Sequence, residues 1–409
     1  MLIPNLGLGG AQRVFADHAR LLAGPYRVTE CVFNLDLAQG YETANELHEL
    51  GVPGGGGPLA KISHFYQRCQ LLRQLKQVRR VAISISHLEG ADYVNLLSSA
   101  GERQVLCVHG SKLHDRNIHG VLGWVRRHLL IPLLYRQAAR IVTVSTGIRA
   151  ELVKEMGLPA GKVQVIHNFF DEEVIRQQAA SPPPPPYAEI LAVYPVLATA
   201  GRLAPEKNLL ALLNVFAQVR QRVPACKLLL VGAGEQYPAL LVRCHALGLP
   251  VHQPGQPAER AHVAAVLFAG YQHQPHTFIA RATVFVLPSL NEGFPMALGE
   301  AMVCGRTVAA ADCPTGPREM LAPATSPPSV PLRGAEWAAH GVLLPVISHP
   351  ATQAADELVW TDALVQLLAD DTTRQELGKQ AQQRMKDFSR DKIAQQWLAL
   401  LAEIQPDLK

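Results

Sequence analysis

Two glutamates, Glu292 and Glu300, stand with seven residues between them on a segment that turns from strand to helix. Val284 to Leu287 is an apolar run suited to a buried strand, Pro288, Ser289 and Asn291 form a turn, and helical sequence opens near Pro295. Open α/β sheets bind ligands where strands end and helices begin, because the first helical N–H groups lack an intrahelical acceptor and carry partial positive charge. Two carboxylates on such a segment, with Gly293, Phe294, Pro295 and Met296 between them, suit a ligand that carries both hydroxyls and phosphates.

Cations for such a ligand stand upstream, in Gly201-Arg202-Leu203-Ala204-Pro205-Glu206-Lys207, which follows one strand and precedes a helix. Arg202 offers a planar fork for phosphate oxygens and Lys207 a point charge. Gly232 and Gly234 end a further strand, where missing side chains allow either a close ligand approach or a plain tight turn. Near the N-terminus, Gly9 and Gly10 lie between the first strand and the first helix. Gln12 occupies the place where a dinucleotide fingerprint needs its third glycine. Arg13 is either a phosphate contact or part of a solvated helix face. His109 ends the strand Val105 to Val108, where an imidazole facing a cleft can donate to a hydroxyl or steer an acceptor. His114 and His119 are less well placed.

The segment from Val284 to Glu319 resembles the signature of the retaining glycosyltransferases of family 4, the group 1 glycosyl transferases, which have the GT-B fold. The quoted resemblance includes FVLPS, Glu292 to Glu300, Ala301-Met302, Cys304-Gly305 and Asp312-Cys313-Pro314. Similarity extends over nearly the whole chain, from PNLGLGGAQRVF through VSTGIRAELVKEMGLPAGKVQVIHNF. It implies that Glu292 contacts the donor sugar, that Glu300 meets the ribose hydroxyls, and that Arg202 and Lys207 hold the nucleotide diphosphate. It also places Gly9 and Gly10 near donor phosphate or acceptor, and His109 where the family has a first-domain active-site histidine. Gly270-Tyr271-Gln272 with Pro275, and Asp312 to Glu319, look like the branch that builds bacterial surface polysaccharides from polyprenyl-diphosphate-linked sugars. His273-Gln274 before Pro275, and Arg318 before Glu319, depart from the usual pattern and leave the donor sugar open.

The elements that must position these residues alternate along the chain. Candidate strands are Leu2 to Pro4, Val28 to Phe33, Val81 to Ser86, Gln104 to Val108, Ile141 to Val144 and Val163 to Ile166, with helical patterns such as Ala11 to Leu22 and Leu71 to Val78 between them. Such alternation argues for a parallel, doubly wound sheet. After SPPPPP at 181–186 a second unit repeats the pattern. Its strands are Leu197 to Ala200, Lys227 to Val231, Val284 to Leu287 and Thr307 to Ala310, with helices at Leu209 to Arg222 and Tyr237 to Leu247. The expected fold class is α/β: two Rossmann-like domains facing a cleft, over 1–180 and 191–385, with a Pro-rich linker at 181–190. Residues 386–409 form a C-terminal helix crossing back to the first domain, read as part of one long amphipathic helix from Ala381 to Ile404. Residues 250–266 and 323–339 read as insertions without chemistry.

Composition bounds the rest. The 409 residues, 48% hydrophobic and 18% charged, describe a globular protein rather than a disordered one. No run approaches the roughly 18 apolar residues that span a bilayer, and no secretion signal is visible. Seven scattered cysteines without a CxxC pair fit reduced thiols in the cytoplasm, and sixteen dispersed histidines argue against a structural zinc site. No DxD stands near a strand end, so Arg202, Lys207 and helix amides are expected to neutralise the leaving group without metal or cofactor. A net charge of +4 is too small to argue for nucleic acid. From Lys61 to Arg149, however, fourteen Lys or Arg face four Asp or Glu. Phe65 to Arg80 and Trp124 to Leu130 mix basic with apolar residues, which reads either as a surface at the inner face of an anionic membrane or as a buried apolar face with a basic rim.

The expected partners are therefore a nucleotide-sugar donor, such as a UDP-linked hexose or N-acetylhexosamine, and a glycan or lipid-linked glycan acceptor. A GT-B-shaped epimerase or phosphorylase, or a sugar-binding protein without catalysis, are the alternatives. Intact Glu292, Glu300, Arg202 and Lys207 argue against the last.

Overall fold

The computed structural model describes residues 1–35, 40–113, 120–328 and 330–405, so His114 and His119 lie outside the described residues. The chain groups into two compact units, Met1–Asn168 with Asp391–Lys409, and Phe169–Arg390. The proline run 181–186 lies inside the second unit, between the helices Glu172–Ala180 and Tyr187–Val193. The division falls before Phe170 because that residue is held within the second unit. Its N–H donates to the Phe388 carbonyl, and its ring lies against Phe294.

The first unit is a seven-stranded parallel sheet of β1 (Leu2–Ile3), β2 (Thr29–Val32), β3 (Glu46–Glu49), β4 (Ile83–His87), β5 (Arg103–Val108), β6 (Arg140–Thr143) and β7 (Val163–Val165). Its order is β3-β2-β1-β4-β5-β6-β7. The chain leaves β1 in one direction and later returns to place β4 on its other side. The loops after β1 and β4 therefore diverge and leave a crevice at the carboxyl ends of those strands. The final helix, Arg390–Ile404, belongs with this unit from Asp391 onward. Trp397 is 1% exposed and packs its ring 4.9 Å from His18, and Glu403 pairs with Arg140.

The second unit has eight strands: β8 (Val196–Ala200), β9 (Lys227–Val231), β10 (Val251–His252), β11 (Val266–Gly270), β12 (Val284–Leu287), β13 (Thr307–Ala311), β14 (Glu336–Ala338) and β15 (Gly341–Leu344). Their order is β10-β11-β9-β8-β12-β13-β15-β14, parallel except for the β14–β15 pair. Strands β9 and β13 are buried along their whole length, as apolar strands covered on both faces must be. Leu209, Leu212, Leu213, Phe216 and Val219 fall on one face of the helix Leu209–Arg222 and are buried in the core. Here the reversal of strand order lies between β8 and β12.

Four expectations change. The edge strand β3 has no counterpart among the apolar runs, because Glu-Leu-His-Glu is polar, as an edge strand can be. The helix read as Leu71 to Val78 starts at Pro58. The segment 250–266 supplies edge strand β10 and the helix Ala258–Val263, while 323–339 ends in β14. The single helix from Ala381 to Ile404 is broken by the 3-10 turn Lys386–Phe388, where Phe388 buries its ring against Phe294 and Ser389 is extended.

Gly299 lets the helix Met296–Val303 sit on Phe170, since a Cβ there would lie 2.2 Å from the ring. Gly299→Ala should therefore cost the second unit about 1–3 kcal/mol through overpacking. Urea unfolding should show this loss, and Phe170→Leu in the same chain should recover part of it. A silent Gly299→Ala would contradict the packing.

Candidate active site

Strands β8 and β12 are neighbours, so the loops that leave their carboxyl ends meet. Lys207, after β8, places Nζ 2.6 Å from Glu292 Oε1, after β12. Ser289 donates to the same oxygen at 2.7 Å, and the Thr315 hydroxyl donates to the Glu292 carbonyl. An ammonium has three N–H donors, so Lys207 can hold Glu292 and an anionic oxygen together. The Leu290 N–H donates to the Glu206 carbonyl at 2.8 Å, stitching the two loops through their backbones. Arg202 is more than half exposed and reaches Glu206 at 2.5 Å and Glu235 at 3.5 Å. Arg202, Lys207, Pro288 and Ser289 line a small recess.

Gly232 and Gly234 serve this loop directly. A Cβ on Gly232 would lie 1.9 Å from the Gly201 carbonyl oxygen, and one on Gly234 would lie 2.4 Å from that of Leu203. Gly201 N–H donates to Val231 and Leu203 N–H to Ala233, each at 2.9 Å. The close approach these glycines allow is thus that of the Arg202 loop. Gly316, at φ +93, packs the 314–316 turn against Pro295 and the Gly293 carbonyl. Phe294 is buried between Phe170 and Phe388, and Met296 begins the helix that Pro295 caps.

Glu300 lies on the buried side of that helix, 3% exposed. Its Oε2 is 3.4 Å from His276 Nε2, and His276 Nδ1 contacts Gln178 Oε1 at 2.6 Å.

In the first unit, His109 follows β5 and its Nε2 lies 2.8 Å from Nδ1 of His87, the last residue of β4. Gly9 opens the helix Gly10–Leu22, and its missing Cβ makes room for Gln12, whose amide donates to Asn5 at 3.2 Å. Arg13 pairs with Asp17 at 3.7 Å. Two basic groups read as surface charge are internal. Lys76 is 3% exposed and pairs with Glu102 at 2.6 Å, while Arg126 is 5% exposed and pairs with Glu89. Burial alone would raise the Glu89 carboxyl, but Arg126 and Lys112 beside it hold it at about 2.

Two family models match the chain side by side, Glycosyltransferase Family 4 over residues 8–174 and Glycosyl transferases group 1 over residues 194–370. The chain belongs to this glycosyltransferase family. It is 24% identical to the N-acetylgalactosamine-N,N'-diacetylbacillosaminyl-diphospho-undecaprenol 4-alpha-N-acetylgalactosaminyltransferase of Campylobacter jejuni, over 98% of each chain. An uncharacterized glycosyltransferase of Methanocaldococcus jannaschii is 25% identical over 59% of this chain and 57% of its own length. Among solved structures, Anabaena HepE in complex with UDP superposes with a TM-score of 0.70 at 19% identity, over 98% of both chains. The sucrose-phosphate synthase of Thermosynechococcus elongatus gives 0.72 at 18% identity, again over 98% of both. The fold is GT-B.

In this glycosyltransferase the structure brings Lys207, Glu292 and the Arg202 loop together within the second unit, and keeps Gly9, Gly10 and His109 in the first. Sequence reading missed Ser289 and Thr315 on Glu292, His276 beside Glu300, and His87 beside His109. A histidine at the first turn of a helix after a strand end was the available signal for His276. His87 had none, because its contact depends on the register of β4 with β5. His18, His87 and Cys107 place one donor atom each within 4.8 Å of one another, a grouping that dispersed sequence positions conceal.

Burial disfavours the charged imidazole, pushing His18 and His109 down to about 3 and His87 well below its ordinary value. It also pushes the buried Asp92 carboxyl up to about 7. As pH falls below about 6.5, unfolding lets each of the three histidines take up a proton, while Asp92 releases one until about pH 4. Stability of the first unit is thus fullest above the unfolded histidine pKa and is lost as pH falls. A net uptake of about two protons on unfolding makes that loss steep between these limits. The unfolding midpoint should drop steeply from about pH 6.5 to 4, and His18→Leu should flatten that slope by about one proton. An unchanged midpoint across this range would rule out neutral buried histidines.

Proposed function

We propose that the enzyme transfers a sugar from a nucleotide-sugar, such as a UDP-linked hexose or N-acetylhexosamine, to a lipid-linked glycan, with retention at the anomeric carbon and without a metal. The meeting of Lys207 and Glu292 at the β8–β12 reversal carries this reading, because it joins a cation for a departing diphosphate to a carboxylate for sugar hydroxyls. Negative charge grows on the diphosphate as the glycosidic bond breaks, so cations held in place act most strongly in the transition state. Arg202 and Lys207 take that role, with amides of the Gly293–Met296 turn beside them. Glu292 orients the sugar, and Glu300, steadied by His276, meets the ribose. HepE was solved with UDP, which supports a uridine donor. The Campylobacter jejuni relative, named for an undecaprenol-diphosphate acceptor, supports the lipid-linked one.

Screening nucleotide-sugars for protection against thermal unfolding tests the donor, since ligand at 100 times its Kd stabilises by about 2.7 kcal/mol. Lys207→Ala should lower turnover by about 10²–10³, and activity should survive a chelator. Glu300→Ala should weaken binding of free nucleoside diphosphate by about 1.5–3 kcal/mol. A chelator-sensitive enzyme that tolerates Lys207→Ala would refute this assignment.

No helix among the described residues is long and apolar enough to cross a membrane. The helical run from Gly120 to Tyr135 instead exposes Val121, Trp124, Leu129, Leu130 and Leu133, with Arg127 and His128 among them. Apolar side chains beside a cation such as Arg127 suit the headgroup region of an anionic bilayer. Sedimentation with anionic vesicles should carry the protein down at low salt, and Trp124→Ser with Leu133→Ser should abolish this. Full activity on a water-soluble acceptor without vesicle binding would remove the membrane part alone.

A further inference from the structure

The contact between His87 and His109 joins a ring sealed in the first unit to one at the mouth of its crevice. His87 is 0% exposed. Phe15 meets it edge-on at 5.3 Å and His18 lies 5.5 Å away, so its ring is fixed on two sides. His87 and Cys107 are register partners on β4 and β5, and His109 follows Cys107 by two residues. The 2.8 Å approach of His87 Nδ1 to His109 Nε2 is therefore set by the sheet.

Burial keeps both rings neutral near pH 7, and a neutral imidazole carries one N–H. Only one of the two facing nitrogens then holds the proton. If His109 donated from Nε2, the proton of His87 would have to lie on its own Nε2, which has no hydrogen-bond partner. That would bury an unpaired N–H, rarer in proteins than an under-satisfied acceptor. If His87 donates from Nδ1, its Nε2 is a lone pair, an under-satisfied acceptor rather than an orphaned donor. Bulk solvent does not reach Nε2 to offset the first arrangement, because the ring is fully covered.

We propose that His87 is a positioning residue that donates from Nδ1 to Nε2 of His109 and so holds His109 as the Nδ1–H tautomer. His109 then acts on the substrate as a hydrogen-bond donor through Nδ1 rather than as a base, which fits a step that must steer a hydroxyl. This rests on His109 serving the transfer reaction. His18, Cys107, Lys112 and the Met1 ammonium are the other titratable groups that face the pair.

Nitrogen-15 histidine spectra of the wild-type protein read the tautomers without any assay. His109 protonated on Nδ1 is the expected result, and protonation on Nε2 overturns the proposal. In kinetics, His87→Leu should lower kcat roughly ten- to hundred-fold, the scale on which removing the orienting partner of an imidazole acts, with KM for the donor little changed. His87→Asn, whose amide N–H can stand in for Nδ1–H, should restore most of the loss. Equal loss in both variants, with folding intact by circular dichroism, overturns the orienting role. His109→Ala serves as the separate control: if it is fully active, the assignment of His109 to the reaction fails, while the spectra still decide the tautomer.

Discussion

The ion pair of Lys207 with Glu292 joins residues 85 positions apart, and it exists because β8 and β12 are neighbours in a sheet whose order reverses between them. Everything else around it sets the geometry of that pair. Ser289 and Thr315 hold Glu292 by its carboxylate and its carbonyl, and the backbone bond from Leu290 to Glu206 ties the two loops where the side chains meet. The glycines at 232 and 234 permit the Arg202 loop to lie directly on the end of β9, so a methyl group at either position would push the loop away from its partner. A parallel sheet covered on both faces makes such a site rigid at its base and leaves only loops to vary.

The first unit solves a different problem. It buries His18, His87 and Asp92, and Lys76 beside the amino ends of β4 and β5, groups that are seldom fully covered unless paired or neutral. Lys76 is matched by Glu102, Asn95 and Ser98, and Asp92 by Ser86 and Tyr135. Burial holds the histidines neutral instead. Stability and polarity at the mouth of this crevice are therefore linked, since the imidazole near solvent is oriented by one that never meets it.

Several elements were legible because their patterns are local. Lys227–Val231, Val284–Leu287 and Leu209–Arg222 agree residue for residue with the reading, each being an apolar run or a 3.6-residue periodicity bounded by Gly, Pro or Asn. The positions of Glu292, Lys207 and the glycines after their strands were also visible. What the sequence could not display depends on neighbours from other elements. Arg126 and Lys76 carry the same charge as their exposed counterparts until Glu89 and Glu102 are brought beside them. The break at Lys386–Phe388 reflects the demand of Phe294 for an aromatic partner, which no helix propensity records. The pairing of His87 with His109 follows from strand register alone.

The helix Arg390–Ile404 places Trp397 against His18 in the first unit, although the second unit separates the two in the chain. During synthesis, the amino-terminal unit consequently emerges from the ribosome without part of its own core. The unit made second can close on itself first, inverting the usual order in which domains finish folding. A nascent chain released before residue 397 would carry a first unit with an open apolar face, exposed to chaperones and proteases whatever the state of the second.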